Sequence, residues 1–237
     1  MPTLRSLAGA LATISLLSAA LVACAPPRVT LAEGPREYVP FDYDQILRRW
    51  TRSGSLVALA ELDDLLTVTT TFESWDFRWA YSVRYADDYR LTVDQRRDLL
   101  ERSLRETRAE HRFYVTLHGP NRRWNQLTKR SSAWVLRLVD STGNETAPLR
   151  IEAVRKPGAA EVTYFPYTTI WRQAFRVTFP VKRDDGTPTI DANSTSFGLR
   201  FAGALGHQDL TWHLEPGGAQ AREIAAGGPP SVARPAM

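Results

Sequence analysis

Apolar residues recur along this chain with three different spacings, and each spacing predicts a different kind of element. Over residues 7–22 they form an almost unbroken run mixed with small residues. That run falls short of the roughly 20 residues a helix needs to cross the bilayer core, and Pro26 and Pro27 follow it closely. A short ordered element is expected over 41–50, with Asp44 capping a turn that carries Ile46, Leu47 and Trp50. Over 65–72 the spacing becomes twofold: Leu66, Val68, Thr70 and Phe72 share one side of a segment rich in β-branched residues, which predicts a strand. Immediately afterwards Trp75, Trp79, Val83 and Ala86 recur every three or four residues, as do Tyr81, Tyr85 and Tyr89 beside them. This is the pattern of a helix with an aromatic face packed on a sheet. Thr92 and Gln95 form a capping box, so a second helix starts at Val93 and runs to about Glu110. It is expected to bury Val93, Leu100, Ser103, Leu104 and Thr107, and to pair Asp98 with Arg102 and Glu101 with Arg105 on a solvated face.

Beyond His111 the twofold spacing returns. Phe113, Val115 and Leu117 alternate, then Trp134, Leu136 and Leu138, with 120–131 as a polar connection. The turn-forming cluster Asp140-Ser-Thr-Gly-Asn144 is expected to close a hairpin onto 149–154. Further strands are expected at 162–167, 175–181, 197–201 and 210–214, separated by Pro, Gly and Asp. The fold class that follows is mainly β with an α-helical pair: an antiparallel β-sandwich of the immunoglobulin-like class, with two helices inserted after an early strand. The domain map reads as a leader (1–23), a tether (24–40), one β-rich domain (41–215) with helices at about 74–110, and a Gly-, Ala- and Pro-rich tail (216–237) expected to be disordered.

Composition changes this picture at one residue. Cys24 is the only cysteine, so disulfides and cysteine metal sites are excluded from the domain, which must be held by packing alone. Its setting explains it. Arg5 gives a short positive region, the apolar run follows, and the run ends in Leu21-Val22-Ala23-Cys24. That is the layout of a secretory signal, and its last four residues resemble the lipobox of bacterial lipoproteins. The resemblance implies cleavage between Ala23 and Cys24, a diacylglyceryl thioether on Cys24, and acylation of the new amino group. It covers about the first 24 residues and implies nothing about the domain. Ala25, a residue other than Asp after the cysteine, is similar to the pattern sent on to the outer membrane. The expected location is therefore the cell envelope, lipid-anchored, at the outer membrane, with the lipid bilayer as one partner and another envelope protein as a second.

The net charge is +4, and among 30 basic residues only Lys129, Lys156 and Lys182 are lysine. An exported address argues against nucleic acid as the target of that charge. The cluster Arg48, Arg49 and Arg52 beside Trp50 reads as a solvated helix end rather than a headgroup contact. No Gly-x-Ser-x-Gly, His-Glu-x-x-His or glycine-rich phosphate loop is present, no cofactor is implied, and no catalytic set emerges. Weak metal candidates are His207, Asp209 and His213, with His207 expected in a loop and His213 on the outer face of a strand. The acids Asp63, Asp64, Glu73 and Asp76 cluster in sequence, yet helix N-termini attract acids without any catalytic role. One aromatic stretch, Tyr164-Phe-Pro-Tyr-Thr-Thr-Ile-Trp171, supplies the candidate binding residues Tyr164, Phe165, Tyr167 and Trp171, with burial the favoured reading. A non-enzymatic structural or protein-binding module is preferred. The alternatives are a periplasmic hydrolase or carbohydrate-acting enzyme, and a module holding a hydrophobic ligand against the aromatic helix.

Overall fold

The computed structural model describes residues 27–58, 63–191 and 193–218. A turn of 3-10 helix at Pro40–Asp42 leads into helix α1 (Tyr43–Trp50) and strands β1 (Thr51–Ala58) and β2 (Asp63–Phe72). Helices α2 (Trp75–Asp88) and α3 (Val93–Ala109) come next, then β3 (Glu110–His118), β4 (Val135–Asp140), β5 (Glu145–Thr146) and β6 (Arg150–Val154). A short helix α4 (Ala159–Tyr164) precedes β7 (Gln173–Pro180), β8 (Ser196–Gly203) and β9 (Gly206–His213). The strands form two antiparallel sheets, in the orders β1-β2-β3-β7-β6 and β5-β4-β8-β9. The chain is thus a mainly β protein built as a two-sheet sandwich, with α2 and α3 inserted between β2 and β3.

The core follows from the alternation. Val68 lies opposite Leu117 and Phe72 opposite Phe113, and Phe113 lies opposite Val177, so one face of the five-stranded sheet is a continuous apolar surface. It meets Phe197 and Trp212 of the second sheet, with Phe72 ringed by Trp50, Phe113, Phe197 and Trp212 at centroid distances of 4.8–6.4 Å. The opposite face carries Thr67, Thr69, Thr71 and Thr116 and is covered by α2 and the segment after α4. Hydroxyl groups there bond across strands, as Ser53 does to Thr69 and Thr51 to Thr71. The two sheets close together where β1 passes β9. A Cβ at Gly54 would sit 2.6 Å from Gln208 Nε2 and 3.0 Å from Leu210 Cδ2, so any larger residue there requires those two side chains to move aside.

Several elements depart from the sequence reading, each for a local reason. Strand β1 was not expected because Thr-Arg-Ser-Gly-Ser carries no apolar alternation; as an edge strand it buries little. In place of the strand expected over 162–167, helix α4 occupies 159–164. The Glu161 carboxylate caps its start by accepting Gly158 N–H at 2.9 Å, and Val162 is half exposed on its outer side. The 140–144 turn closes onto β5 and not onto 149–154; Pro148 ends β5, and β6 crosses to pair with β7 in the other sheet. Helix α3 has the expected capping box (Thr92 with Gln95) and buries Ser103, Leu104 and Thr107, whereas Val93 at its first position is exposed. In α2 the buried face is Phe77, Ala80 and Ala86, while Trp75, Trp79 and Val83 sit at its margin. Residues from Val29 onward, read as tether, lie on the domain: Val29 is buried, its amide donates to His213 O, its carbonyl accepts from Glu215, and Leu31 N–H donates to Gly218 O. No helix among the described residues is long and apolar enough to cross a membrane.

The 140–144 turn carries a titration signature. Asp140 is buried and accepts from Thr142 N–H and Oγ1 (3.0 and 2.7 Å), Asn144 N–H and Nδ2 (2.9 and 3.1 Å) and Arg183 Nη2 (2.8 Å). Burial by itself raises the carboxyl pKa, but these donors outweigh it and hold it down at about 2. The unfolded value is about 3.9, so the stabilisation is present above pH 4 and is lost as pH falls through 2. Asp140→Asn is therefore expected to flatten the stability curve between those two values, as read by urea unfolding at stepped pH. An unchanged acid slope would contradict this assignment.

Candidate functional site

The residues singled out by sequence do not gather in one place. The lipobox residues Leu21 to Cys24 lie outside the described residues. His207 stands in β9 instead of a loop, and with Asp209 and His213 it lies on the exposed face of that strand. Asp209 is engaged: Arg200 grips both its oxygens at 2.8–2.9 Å and reaches Glu145 with its remaining nitrogen, and the Arg200 bond holds the Asp209 carboxyl below its usual range. No group of three or more His, Cys, Asp or Glu side chains able to hold a metal occurs among the described residues.

The acids separate as well. Asp64 and Glu73 lie at opposite ends of β2, roughly 30 Å apart at the rise of an extended strand. Glu73 pairs with Arg78 at 2.8 Å. Asp76 is buried in the first turn of α2 and accepts from Arg36 Nε (3.0 Å), Arg49 Nη1 (3.4 Å), Trp50 Nε1 (3.1 Å) and the Tyr38 hydroxyl. Burial first, and the bond to Asp76 second, push the Tyr38 phenol up to about 12. This is a tie between the N-terminal segment, α1 and α2. Arg49 is committed there, while Arg52 donates to Thr211, Arg49, Thr51 and Pro27 carbonyls, so two of the three arginines around Trp50 serve the fold.

The aromatic stretch divides into a buried and an exposed half. Phe165 stacks on Tyr114 at 4.0 Å, Tyr164 donates to Asp88 and accepts Tyr43 O–H on its carbonyl, and Tyr167 shares a 2.6 Å bond with Thr71. Burial raises the Tyr164 and Tyr167 phenols well above their ordinary value, so both stay neutral. Phe165 and Tyr167 fix the segment to the threonine-rich face, and Tyr164 ties it to α1 and α2. The next turn then projects outward: Ile170 is 80% and Trp171 73% exposed. Burial, favoured on sequence, thus holds for Tyr164 and Phe165 and fails for Trp171. The Tyr81, Tyr85 and Tyr89 rings stack along α2 and against Tyr164, filling the space between helix and segment.

Beside this projecting turn lies a groove of about 780 Å³ that sequence reasoning missed. It runs along the ends of β6 and β7, under the 119–134 connection. Its cations are Arg122, Lys129, Arg155 and Arg172, and its lining includes no carboxylate. Val154, Pro157, Val162 and Ile170 supply apolar wall. Arg172 is held in place by Thr69 Oγ1 at 2.8 Å and Thr116 Oγ1 at 3.3 Å. Gln173 is 8% exposed; its Nε2 donates to Arg122 O at 2.6 Å and its Oε1 has no partner. A smaller crevice of about 270 Å³ between α2 and the sheet is also rich in arginine, but there Arg78 is paired with Glu73 and Glu106, Arg112 with Glu106 and Arg176 with Glu161. Comparison with protein-family models, with curated proteins and with solved structures returns no match to this chain.

Proposed function

We propose that the chain is a lipid-anchored lipoprotein of the bacterial cell envelope, at the outer membrane, whose sandwich domain is a non-enzymatic binding module. The observation that carries the reading is Leu21-Val22-Ala23-Cys24 at the end of an apolar leader. Two or three acyl chains, at about 0.8 kcal/mol per buried methylene, make a stable anchor where one does not. The geometry adds a constraint. Chain pairing begins at Val29, five residues after Cys24, so an extended linker of about 17 Å is the longest available. The anchor then keeps the domain close to the bilayer, on the side where Pro27 meets Arg52 at the start of β1. A binding role, rather than an enzymatic one, is supported by the dispersal of Asp64, Glu73, Asp76 and Asp209 into separate ion pairs or separate ends of the fold.

The test is metabolic labelling with an alkyne-bearing palmitate analogue in a bacterial host. The wild-type chain is expected to take up label and Cys24→Ala to take up none. Equal labelling of both, or of neither, would contradict the anchor. Crosslinking in intact envelopes, with Cys24→Ala as control, then identifies the envelope partner.

A further inference from the structure

We propose that the groove at the β6 edge binds an anionic amphiphile, a small molecule carrying phosphate or carboxylate on a partly apolar body. The inference does not depend on the lipid anchor. Among the described residues no carboxylate lies within 4.0 Å of Arg122, Lys129, Arg155 or Arg172, whereas Arg36, Arg78, Arg112, Arg176, Arg183 and Arg200 all have acidic partners. Four like charges around one concavity raise its potential, and a low-dielectric wall focuses it. An anion relieves that repulsion.

The remaining lining narrows the ligand further. Val162 is 50% and Ile170 80% exposed, and with Val154 and Pro157 they form a wall that a bare inorganic ion leaves in water. A pure hydrocarbon would leave the cations without a partner. Gln173, buried at the start of β7, fixes the groove floor by donating its amide nitrogen to Arg122 O at 2.6 Å. Arg172, oriented by two threonine hydroxyls, is the preset anchor for the anionic group, while Arg122, Lys129 and Arg155 are exposed and free to close on it. The groove's volume suits a molecule of metabolite size. It lies at the β6 edge of the sheet and the chain emerges beside the β1 edge, four strand spacings or about 19 Å away, so an anchored domain leaves it open to solution.

The probe is 1-naphthyl phosphate, titrated calorimetrically into the full chain, with inorganic phosphate and 1-naphthylmethylammonium as comparators. The aromatic phosphate is expected to bind about tenfold more tightly than either comparator, and more weakly as salt rises. The double variant Lys129→Glu with Arg155→Glu changes two exposed side chains that make no hydrogen bond within the described fold. It should keep its melting temperature and lose about tenfold in affinity. Equal binding of the naphthyl cation, equal binding of inorganic phosphate, no binding of 1-naphthyl phosphate at all, or an affinity unmoved by the charge reversal would each overturn the proposal.

Discussion

Phe72→Ala is expected to cost about 3–5 kcal/mol of folding stability, the range for emptying a well-packed aromatic site. Phe72 is 3% exposed at the end of β2 and touches rings from three layers: Trp50 of α1, Phe113 of its own sheet, and Phe197 and Trp212 of the other. Rigid ring neighbours on all sides leave the hole little room to collapse, which places the cost toward the upper part of that range. Phe72→Leu keeps most of the volume and is expected to lose only about 1–2 kcal/mol. Phe41, 89% exposed, supplies the control, since Phe41→Ala should change stability by less than about 0.5 kcal/mol. Urea unfolding followed by tryptophan fluorescence measures all three. A loss below about 1.5 kcal/mol for Phe72→Ala would mean that the sheets do not meet at this residue.

Asp76→Ala is expected to cost about 3 kcal/mol, for an electrostatic reason. The carboxylate joins four donors from the N-terminal segment and α1 to the first turn of α2. Arg36 and Arg49 keep partial access to water and recover some solvation when the carboxylate is gone. The Trp50 indole N–H does not, because Trp50 is 1% exposed, and a buried donor left unmade accounts for about 1–3 kcal/mol of the loss. Asp76→Asn retains an oxygen for Trp50 and removes the charge facing the arginines, so it should fall between wild type and alanine. Asn as damaging as Ala would mean that the ion pairs, not the indole bond, carry the tie.

The elements legible in the sequence are those whose apolar residues fall on one side. Strand β2 and strand β3 place apolar residues on one face and threonines or polar groups on the other, and α3 announces its start with Thr92 and Gln95. The elements that were not legible take their structure from neighbours. Strand β1 exists because β2 offers it a partner and Gly54 lets β9 come close, neither of which is visible in Thr-Arg-Ser-Gly-Ser. Helix α4 overrides the strand preference of Val162 and Thr163 because Tyr164 docks on α1 and α2. In α2 the aromatic spacing identified the helix but not its buried face, since Phe77 and Ala80 point inward while Trp75 is turned to Gly34 and Arg108.

The groove was hidden for a different reason. Arg122, Lys129, Arg155 and Arg172 are scattered over 50 residues and meet only through the pairing of β6 with β7 and the 119–134 connection folded over them. One signal was present: residues 111–139 and 162–183 contain no acid, while basic residues recur through both. Charge runs usually mark a solvated face, and only the geometry shows that these two acid-free stretches line the same concavity. The anchor has the opposite character, being written in a few contiguous residues and independent of any fold.

Mass spectrometry of the mature N-terminal peptide bears most directly on the anchor at Cys24. The expected mature chain starts at Cys24, with a diacylglyceryl thioether on its sulfur and an acyl group on its new amine. A peptide that still carries the leader, or a mature Cys24 with a free thiol, would contradict it.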